Sequence, residues 1–382
     1  MRTGRRALLA LPLAAPVVGA FAGGVAALPA RLAGGLAGGV AALPALVAGG
    51  LAGGVAALPA LAQAPFLDDA GRAVALPGTV RRVHPAGPPA AILLHALAPG
   101  MLTGWPARPP SPAEAAFLPE ASARLPEIGR LTGRDNTANL EALLRDRPDL
   151  VVDYGSVRPT FAALMDRVQA QTGIPALLLD GALAKIPLAL RRLGAALGRD
   201  AEPLAGMAER ILEDSGRHAA TLRARGRPRV LYLRGPRGTE TGVAGSINTE
   251  IIEFAGAENV AASALGAGSL VPVSVEQAFA WNPDWIISIH PDFPAFARND
   301  RLWSALPAVR AGRLAASPFL PFGWVDFPPS VNRLLGLLWL PALWGLAPRE
   351  GLAERVAGFH AAFFHHRPGA AQVAALLRPA LP

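Results

Sequence analysis

The chain has 382 residues, of which 52% are hydrophobic and 17% charged, so it can bury one large core or two medium-sized ones. Its formal charge of +8 falls to +4 once the four arginines of residues 1–62, a segment without acidic residues, are set aside. The other basic residues are scattered arginines with Lys185 as the single lysine, and no basic run occurs, which argues against a nucleic-acid-binding protein.

The first 62 residues have the pattern of a signal peptide. Arg5 and Arg6 precede a long apolar run, and the pair also fits the loose twin-arginine form, so both the Sec and the Tat export route stay open. Within that run the sequence AGGVAALPA occurs three times with a 15-residue period. Prolines and glycine pairs interrupt each stretch before the roughly 20 residues that a membrane helix needs, so a collapsed or disordered leader is expected. Ala60-Leu61-Ala62 offers a cleavage site.

The chain contains no cysteine. No lipid-bearing cysteine can therefore anchor the mature protein, and neither a disulfide nor a thiolate metal site can form. Together with the export signal, this predicts a soluble protein of the periplasm that is not a lipoprotein.

From Phe66 onward, short apolar runs alternate with helical patterns, which predicts an α/β fold with mostly parallel sheets covered on both faces. The expected strands are a hairpin at Phe66–Pro77 and runs at Val80–Val83, Ala91–Leu94, Leu150–Tyr154, Ala176–Asp180, Val230–Arg234 and Trp285–His290. The expected helices are Asn139–Leu144, Thr160–Gln171, Ile247–Phe254 and Ser274–Ala280.

Residues 201–226 predict one long amphipathic helix in the middle of this series. Apolar residues recur there at three- and four-residue steps with charged residues between them, and the turn that begins at Gly226 ends the pattern. A strand-helix series precedes the helix and a second one follows it. We therefore expect two Rossmann-like lobes, 63–200 and 227–382, joined by this helix, with the ligand between them.

A concealed repeat supports two equivalent lobes. Asn139 and Glu141 are followed by a Pro-Asp pair and a buried run, and Ser274 and Glu276 are followed by the same features at the same spacing. Each copy predicts a capped helix, a proline stop and a buried strand, with a capping box between Ser274 and Gln277. Each glutamate then lies in a first helical turn, where the helix dipole favours a negative charge. The structural interpretation is that each glutamate serves only its own helix.

Six segments carry a family resemblance, and they are DDAGRAVALPGTVRRV, GRLTGRDNTANLEALLRDRPDLVVDYG, TGIPALLLDG, GAENVA, VSVEQAFAWNPDWII and LPAVRAGRL. In this order they resemble the substrate-binding proteins of ABC importers for iron-siderophore, haem and cobalamin. The resemblance implies a monomer without a cofactor or enzymatic activity, whose partners are a membrane permease with its ATPase and a small-molecule ligand. It also implies that Glu141 and Glu276 dock onto arginines of the permease.

The ligand is expected outside the carboxyl ends of the strands, as in other open α/β sheets. The glycine beside Trp324 is expected to let the indole ring turn outward, in a loop dense in aromatic residues. Each candidate also has a structural interpretation: a core tyrosine, an arginine paired with Glu240, a histidine that shapes a turn, or aromatics that pack a lobe edge. The expected ligand-binding residues are Arg134, Tyr154, Arg234, His290, Phe322, Trp324 and Asp326.

The ligand itself stays open between several classes. Aromatic platforms suit a large organic metal chelate of the iron-siderophore type, which is the preferred interpretation, or haem or cobalamin. The segment PFGWVDFPPSVNRLLGL also resembles a branch of the family linked to molybdate or tungstate, and arginines suit such an oxyanion. A hydrolase built from His290, Asp326 and Asp153 is a remote alternative, because no hydrolase motif is present. The histidines of FHAAFFHH are not spaced to share one helix face, so no metal site is expected.

Overall fold

The computed structural model describes residues 65–132, 140–378 and 380–381. The predicted signal peptide, its repeats, Arg134 and Asn139 lie outside these ranges. Residues Leu61–Pro382 form one compact unit. No helix within the described ranges is both long and apolar enough to cross a membrane.

A hairpin opens the described chain, as predicted for residues 66–77. Strands β1 (Phe66–Leu67) and β2 (Ala73–Val74) pair antiparallel. The buried Asp68 carboxylate accepts hydrogen bonds from the backbone N–H of Ala70 at 3.0 Å and of Leu178 at 3.0 Å. One side chain therefore closes the turn and fixes the hairpin to the neighbouring sheet.

The first lobe is built on a parallel sheet with strand order β3-β4-β5. Its strands are β3 (Val83–Pro85), β4 (Leu150–Gly155) and β5 (Ala176–Asp180). Its helices are α1 (Pro88–Leu97), α2 (Pro112–Ala115), α3 (Glu120–Ala123), α4 (Leu140–Asp146), α5 (Pro159–Thr172) and α6 (Ile186–Leu197), with 3-10 turns at Pro99–Met101 and Leu183–Lys185.

The strand expected at Ala91–Leu94 is wrong, because these residues lie within helix α1. All residues from Ala90 to Ala96 are buried, so the segment has no polar face that would show a helical period. A short run of this kind does not distinguish a buried helix from a buried strand. The sequence signal that favours the helix is the pair Pro88-Pro89, which occupies its first turn.

Helix α7 (Glu202–Ala224) joins the lobes and confirms the long central helix. Its 23 residues correspond to about 35 Å at 1.5 Å per residue. The glycines at 206 and 216 do not interrupt it. One stripe of the helix is buried, at Ala205, Ala208, Ile211, Ser215, Ala219 and Leu222, as expected for an amphipathic helix.

The second lobe has a parallel sheet with strand order β11-β10-β6-β8 and an antiparallel pair β7-β9. Its strands are β6 (Arg229–Leu233), β7 (Glu240–Gly242), β8 (Glu258–Asn259), β9 (Leu270–Pro272), β10 (Trp285–Ser288) and β11 (Leu314–Ala316). Its helices are α8 (Glu250–Phe254), α9 (Val260–Leu265), α10 (Val275–Trp281), α11 (Phe293–Asn299) and α12 (Pro307–Arg310), with a 3-10 turn at Trp303–Ala305.

The last three helices return to the first lobe. They are α13 (Arg333–Leu343), which packs beside α7, α14 (Leu352–Phe363), which packs on α1, and α15 (Ala370–Leu377). The imidazole Nε2 of His365 lies 2.9 Å from the carbonyl oxygen of His95, which fixes the end of α14 against α1. The boundaries 63–200, 201–226 and 227–382 remain predictions.

Three buried histidines make the stability of this fold depend on pH. Burial lowers the pKa of His84 to about 4 and those of His95 and His360 to about 3, from an ordinary value of 6.5. None of these rings has a hydrogen-bond partner among the described residues. As the pH falls below 6.5, the unfolded chain therefore takes up protons at these sites before the folded protein does.

We expect the free energy of unfolding to fall by about 2 kcal/mol per buried histidine between pH 7.5 and pH 5. The buried Asp153, whose pKa is raised to about 6, takes up its proton first in the folded state and offsets about 1 kcal/mol of this loss. Urea unfolding at pH 7.5, 6 and 5 measures the effect. His360→Phe should make the dependence shallower by about 2 kcal/mol, whereas His290→Phe, at a partly exposed site, serves as the control. An unchanged dependence in His360→Phe would contradict the argument.

Candidate functional site

In both sheets, the carboxyl ends of the strands lead into the loops that carry the candidate residues. Gly155 ends β4 and Gly181 follows β5 in the first lobe, while Arg234 follows β6 and His290 lies just after β10 in the second. This is the edge at which open α/β sheets bind ligands.

The two lobes meet at the buried guanidinium of Arg333, the first residue of α13. Its Nη2 donates to the carbonyl oxygen of Gly181 in the first lobe at 2.6 Å, and its Nη1 donates to that of Ile247 in the second at 3.1 Å. The same Nη1 pairs with the Glu250 carboxylate, which also accepts the backbone N–H of Leu183 at 2.8 Å. Because these hydrogen-bond partners come from both lobes, Arg333 holds the two lobes against each other.

Tyr154 lies within this interior rather than on a ligand surface. Its side chain is buried, and its hydroxyl has no partner that meets hydrogen-bond geometry, although the Arg333 guanidinium is close by. Burial raises the pKa of Tyr154 to about 12, against the lowering effect of the Arg333 charge. Among the described residues, the tyrosine is therefore placed as a core residue beneath the junction of the lobes.

Glycines allow the close approach of the lobes beside Arg333. A Cβ added at Gly181 would lie 2.7 Å from the Cα of Gly155 and 3.0 Å from the Cδ1 of Ile247 in the other lobe. The backbone N–H of Gly181 also donates to the oxygen of Gly155 at 2.7 Å. A larger residue at position 181 would separate these segments.

The buried Asp326 carboxylate is a second centre of hydrogen bonds, within the second lobe. It accepts from the Tyr232 hydroxyl and the Arg234 Nη1, each at 2.5 Å, and from the Asn248 amide at 2.7 Å. It also accepts from the backbone N–H of Phe327 at 2.6 Å. With four donors, the carboxylate is satisfied as an acceptor and positions its neighbours, which does not suit it as the base of a hydrolase.

Arg234 is oriented by two carboxylates and one aromatic ring. Besides Asp326, it pairs through Nε with Glu240 at 3.0 Å, as the structural interpretation of the sequence expected. Its guanidinium carbon lies 5.4 Å from the ring centre of Phe327, within cation–π range. Phe327 is 49% exposed, and its ring centre is 6.1 Å from that of Phe319. This edge of the second lobe therefore presents aromatic surface over a neutralised arginine.

Trp324 does not turn outward, contrary to expectation. The indole is fully buried, and its N–H donates to the carbonyl oxygen of Leu320 at 3.3 Å. Gly323 serves another purpose, because a Cβ there would lie 2.0 Å from the backbone oxygen of Asp326. The glycine permits a tight loop instead of an exposed ring.

Phe322 and His290 have local partners. The Phe322 ring is half-buried and packs on Trp105 and Phe364, with centre-to-centre distances of 5.8 and 5.4 Å. His290 is partly exposed, and its Nδ1 accepts the backbone N–H of Asp292 at 3.3 Å. Both positions have the local contacts of the structural interpretation, and their ligand roles stay predictions, as does that of Arg134 outside the described residues.

Three residues near the site, Phe327, Asn248 and Arg333, are absent from the residues predicted from the sequence. Phe327 lies in the same loop dense in aromatic residues, three residues after Trp324 and five after Phe322, but only the fold shows which ring is exposed. Asn248 and Arg333 act through partners distant in sequence, for which no local pattern exists.

Asp153 lies at the same edge of the first sheet, beside Thr132. Its carboxylate accepts from the Thr132 hydroxyl at 3.1 Å and from the backbone N–H of Tyr154 at 3.0 Å. Burial raises its pKa to about 6, because these two hydrogen bonds only partly compensate the loss of solvent. Within the described ranges, no group of three His, Asp or Glu side chains is arranged to hold a metal ion.

The two glutamates of the sequence repeat are exposed in the first turns of α4 and α10. The predicted capping box is confirmed in α10, where the Ser274 hydroxyl and the Gln277 side chain bond each other's backbone N–H. The Ser274 hydroxyl also holds the pKa of Glu276 below its usual value. Glu276 is therefore a negatively charged group at neutral pH.

Comparisons with known proteins agree with this architecture. The sequence model of a family described as periplasmic binding protein matches residues 119–319, more than half of the chain. An ABC transporter solute binding protein from Sulfurospirillum deleyianum is similar with a TM-score of 0.74 and 26% identity, over 82% of this chain and 99% of the other. A comparison with curated proteins finds no match.

Two further solved structures share the fold at lower identity. The molybdate periplasmic binding protein MolA of Haemophilus influenzae, solved with molybdate bound, has a TM-score of 0.65 and 18% identity, over 80% of this chain and 99% of the other. CeuE of Helicobacter pylori, solved as a Ni-His complex, has a TM-score of 0.61 and 16% identity, over 78% and 94%. At these identities the similarity concerns the fold alone.

The junction of the lobes predicts the effect of removing Arg333. Arg333→Met keeps much of the side-chain volume but removes the donors to the carbonyl oxygens of Gly181 and Ile247 and the charged partner of Glu250, so we expect a loss of about 3–5 kcal/mol in the free energy of unfolding. Arg191→Met is the matched control, because Arg191 pairs with Glu202 and Glu209 on the protein surface and its removal should change little. Urea unfolding of both variants measures the difference in the free energy of unfolding. Equal losses in the two variants would contradict the conclusion that the buried Arg333 holds the structure together.

Proposed function

Because the chain belongs to the periplasmic binding protein family and is a solute-binding protein of the ABC transporter type, we propose that it delivers a metal chelate of the iron-siderophore type to its permease. Residues 1–62 would direct export to the periplasm and would be removed. The mature protein would bind one chelate between its two lobes and act without catalysis.

The charge balance around Arg234 is the observation that favours a chelate over a bare oxyanion. Arg234 carries one positive charge, and Asp326 and Glu240 contribute two negative charges within hydrogen-bond distance. These three side chains together therefore carry no excess of positive charge that would attract a molybdate or tungstate anion. A bare dianion is better bound by unpaired arginines and free backbone N–H groups.

The exposed aromatic surface supports the same ligand class. Phe327 offers about half of its surface at the edge of the second lobe, beside Phe319 and above the Arg234 guanidinium. Apolar and aromatic walls with a few oriented polar groups are typical of sites for organic ligands. An organic chelator would place its apolar surface on Phe327 and its acceptor atoms near the remaining N–H groups of Arg234.

The docking partner would be the permease, with which Glu141 and Glu276 would form charge-assisted hydrogen bonds. Both carboxylates are exposed, and none of the ion pairs within the described residues involves them. Arginine binds carboxylates in a two-pronged geometry that also fixes orientation. One carboxylate on each lobe would therefore define how the protein sits on its partner.

Calorimetry of the mature protein tests the ligand class. We expect binding of a ferric siderophore and a loss of about tenfold in affinity for Phe327→Ser, because the ring contact is lost. Phe279→Ser, which removes an exposed phenylalanine outside the site, is the matched control and should bind like wild type. Molybdate binding without chelate binding would replace the proposed ligand by an oxyanion. Absence of binding to ferric siderophores, haem, cobalamin and molybdate would contradict the proposed function.

Charge reversal tests the docking role separately from ligand binding. The double variant Glu141→Arg, Glu276→Arg should keep the calorimetric affinity for the ligand, because both positions lie on the outer surface, and should stop uptake by cells through repulsion of the permease arginines. Glu120→Arg, which reverses an exposed charge on α3, is the control for uptake. Loss of ligand binding in the double variant would refute the docking assignment.

A further inference from the structure

The docking helices, α4 with Glu141 and α10 with Glu276, each carry an exposed apolar side chain three residues after the glutamate. Leu144 in α4 is 51% exposed, and Phe279 in α10 is 39% exposed. Residues three apart lie on the same face of a helix, so Leu144 is next to Glu141 and Phe279 is next to Glu276. On the basis of the proposed function, we infer that these two side chains are apolar anchors that insert into the permease beside its basic residues.

The two helices repeat each other in packing as well as in sequence. Leu143 of α4 and Ala278 of α10 are fully buried, each in the core of its own lobe. The helices end at Arg147 and Asn282, which adopt nearly the same left-handed φ of 41° and 43°. The faces opposite these buried positions are therefore presented to solvent in the same way.

The strands that follow complete the correspondence. Asp149 accepts the backbone N–H groups of Arg81 and Arg82, and Asp284 accepts that of Arg229, so each aspartate fixes the start of its own strand to a neighbouring segment. Strands β4 and β10 then lie inside their sheets, with neighbours on both sides. Each pair of glutamate and anchor is thus held by a rigid lobe and not by a loose loop.

The duplication defines the partner. A glutamate and an apolar side chain occur together twice, at equivalent positions of two similar lobes, so the complementary surface must offer a basic group and an apolar depression twice. A permease built from two identical subunits around a two-fold axis presents such a pair. Leu144 and Phe279 belong to none of the hydrophobic core clusters among the described residues, which is consistent with burial in a complex, where anchors of this kind carry affinity.

The two components of each pair would act on different steps of binding. Charged groups at the rim of an interface mainly accelerate encounter and set orientation, and their effect weakens with salt. Desolvated apolar anchors mainly slow dissociation. The inference therefore assigns residence time on the permease to Leu144 and Phe279, and encounter to the glutamates.

Surface plasmon resonance with the mature protein and the permease–ATPase complex of the same importer, held in lipid nanodiscs, tests this assignment. We expect Leu144→Ser and Phe279→Ser each to raise the dissociation rate by about tenfold, with little change when the salt concentration is varied. Glu141→Gln and Glu276→Gln should instead slow association and reduce its salt dependence. The conservative variants Leu144→Met and Phe279→Leu should dissociate like wild type.

Leu188→Ser is the matched control, because Leu188 is an exposed leucine on α6, outside both docking helices. It should bind like wild type, and an equal loss in this variant would overturn the anchor assignment. The assignment would also fall if the two anchor variants dissociated like wild type while the glutamate variants associated slowly, and permease docking would then stand without it. Absence of binding by the wild-type protein would instead contradict the proposed function itself.

Discussion

The junction between the lobes depends on a charge that is withdrawn from water. A buried guanidinium is costly unless its donors are satisfied, and Arg333 is satisfied by acceptors from segments around positions 181, 247, 250 and 330. Burial of this group therefore requires those segments to stay close together around it. The relative position of the two lobes thus follows from the requirement to pair one side chain.

Helix α7 and helix α13 extend this junction along the molecule. They pack side by side, and α13 is buried along its whole length, from Arg333 to Leu343. On another side of α13, Gly336 allows close contact with the second lobe, because a Cβ there would lie 2.3 Å from the backbone oxygen of Trp324 and 2.7 Å from the Cδ1 of Ile251. Relative motion of the lobes would have to break both this packing and the hydrogen bonds of Arg333, so a small adjustment is favoured over a wide hinge movement.

The features that the sequence predicted are those with a local period or spacing. Helix α7 follows from its amphipathic stripe, and the units around Glu141 and Glu276 follow from a repeated pattern of cap, proline and buried run. Helix α1 was mistaken for a strand because its buried residues show no period. The positions of Trp324, Asp326 and Tyr154 depend on contacts such as that between Tyr232 and Asp326, 94 residues apart, which no local pattern contains.

The repeated units also relate the proposed docking faces to the proposed ligand edge. A helix that leads into a strand of a parallel sheet runs in the opposite direction to that strand, so its first turn lies near the carboxyl ends of the strands. Glu141 and Glu276 occupy such first turns, and Arg234 and the loops after β4 and β10 occupy that same edge. A partner that engages both glutamates would therefore cover the side of the protein from which a ligand leaves. Docking and ligand release would then take place at one surface of the protein. The buried Arg333 beneath this surface would hold the spacing between Glu141 and Glu276.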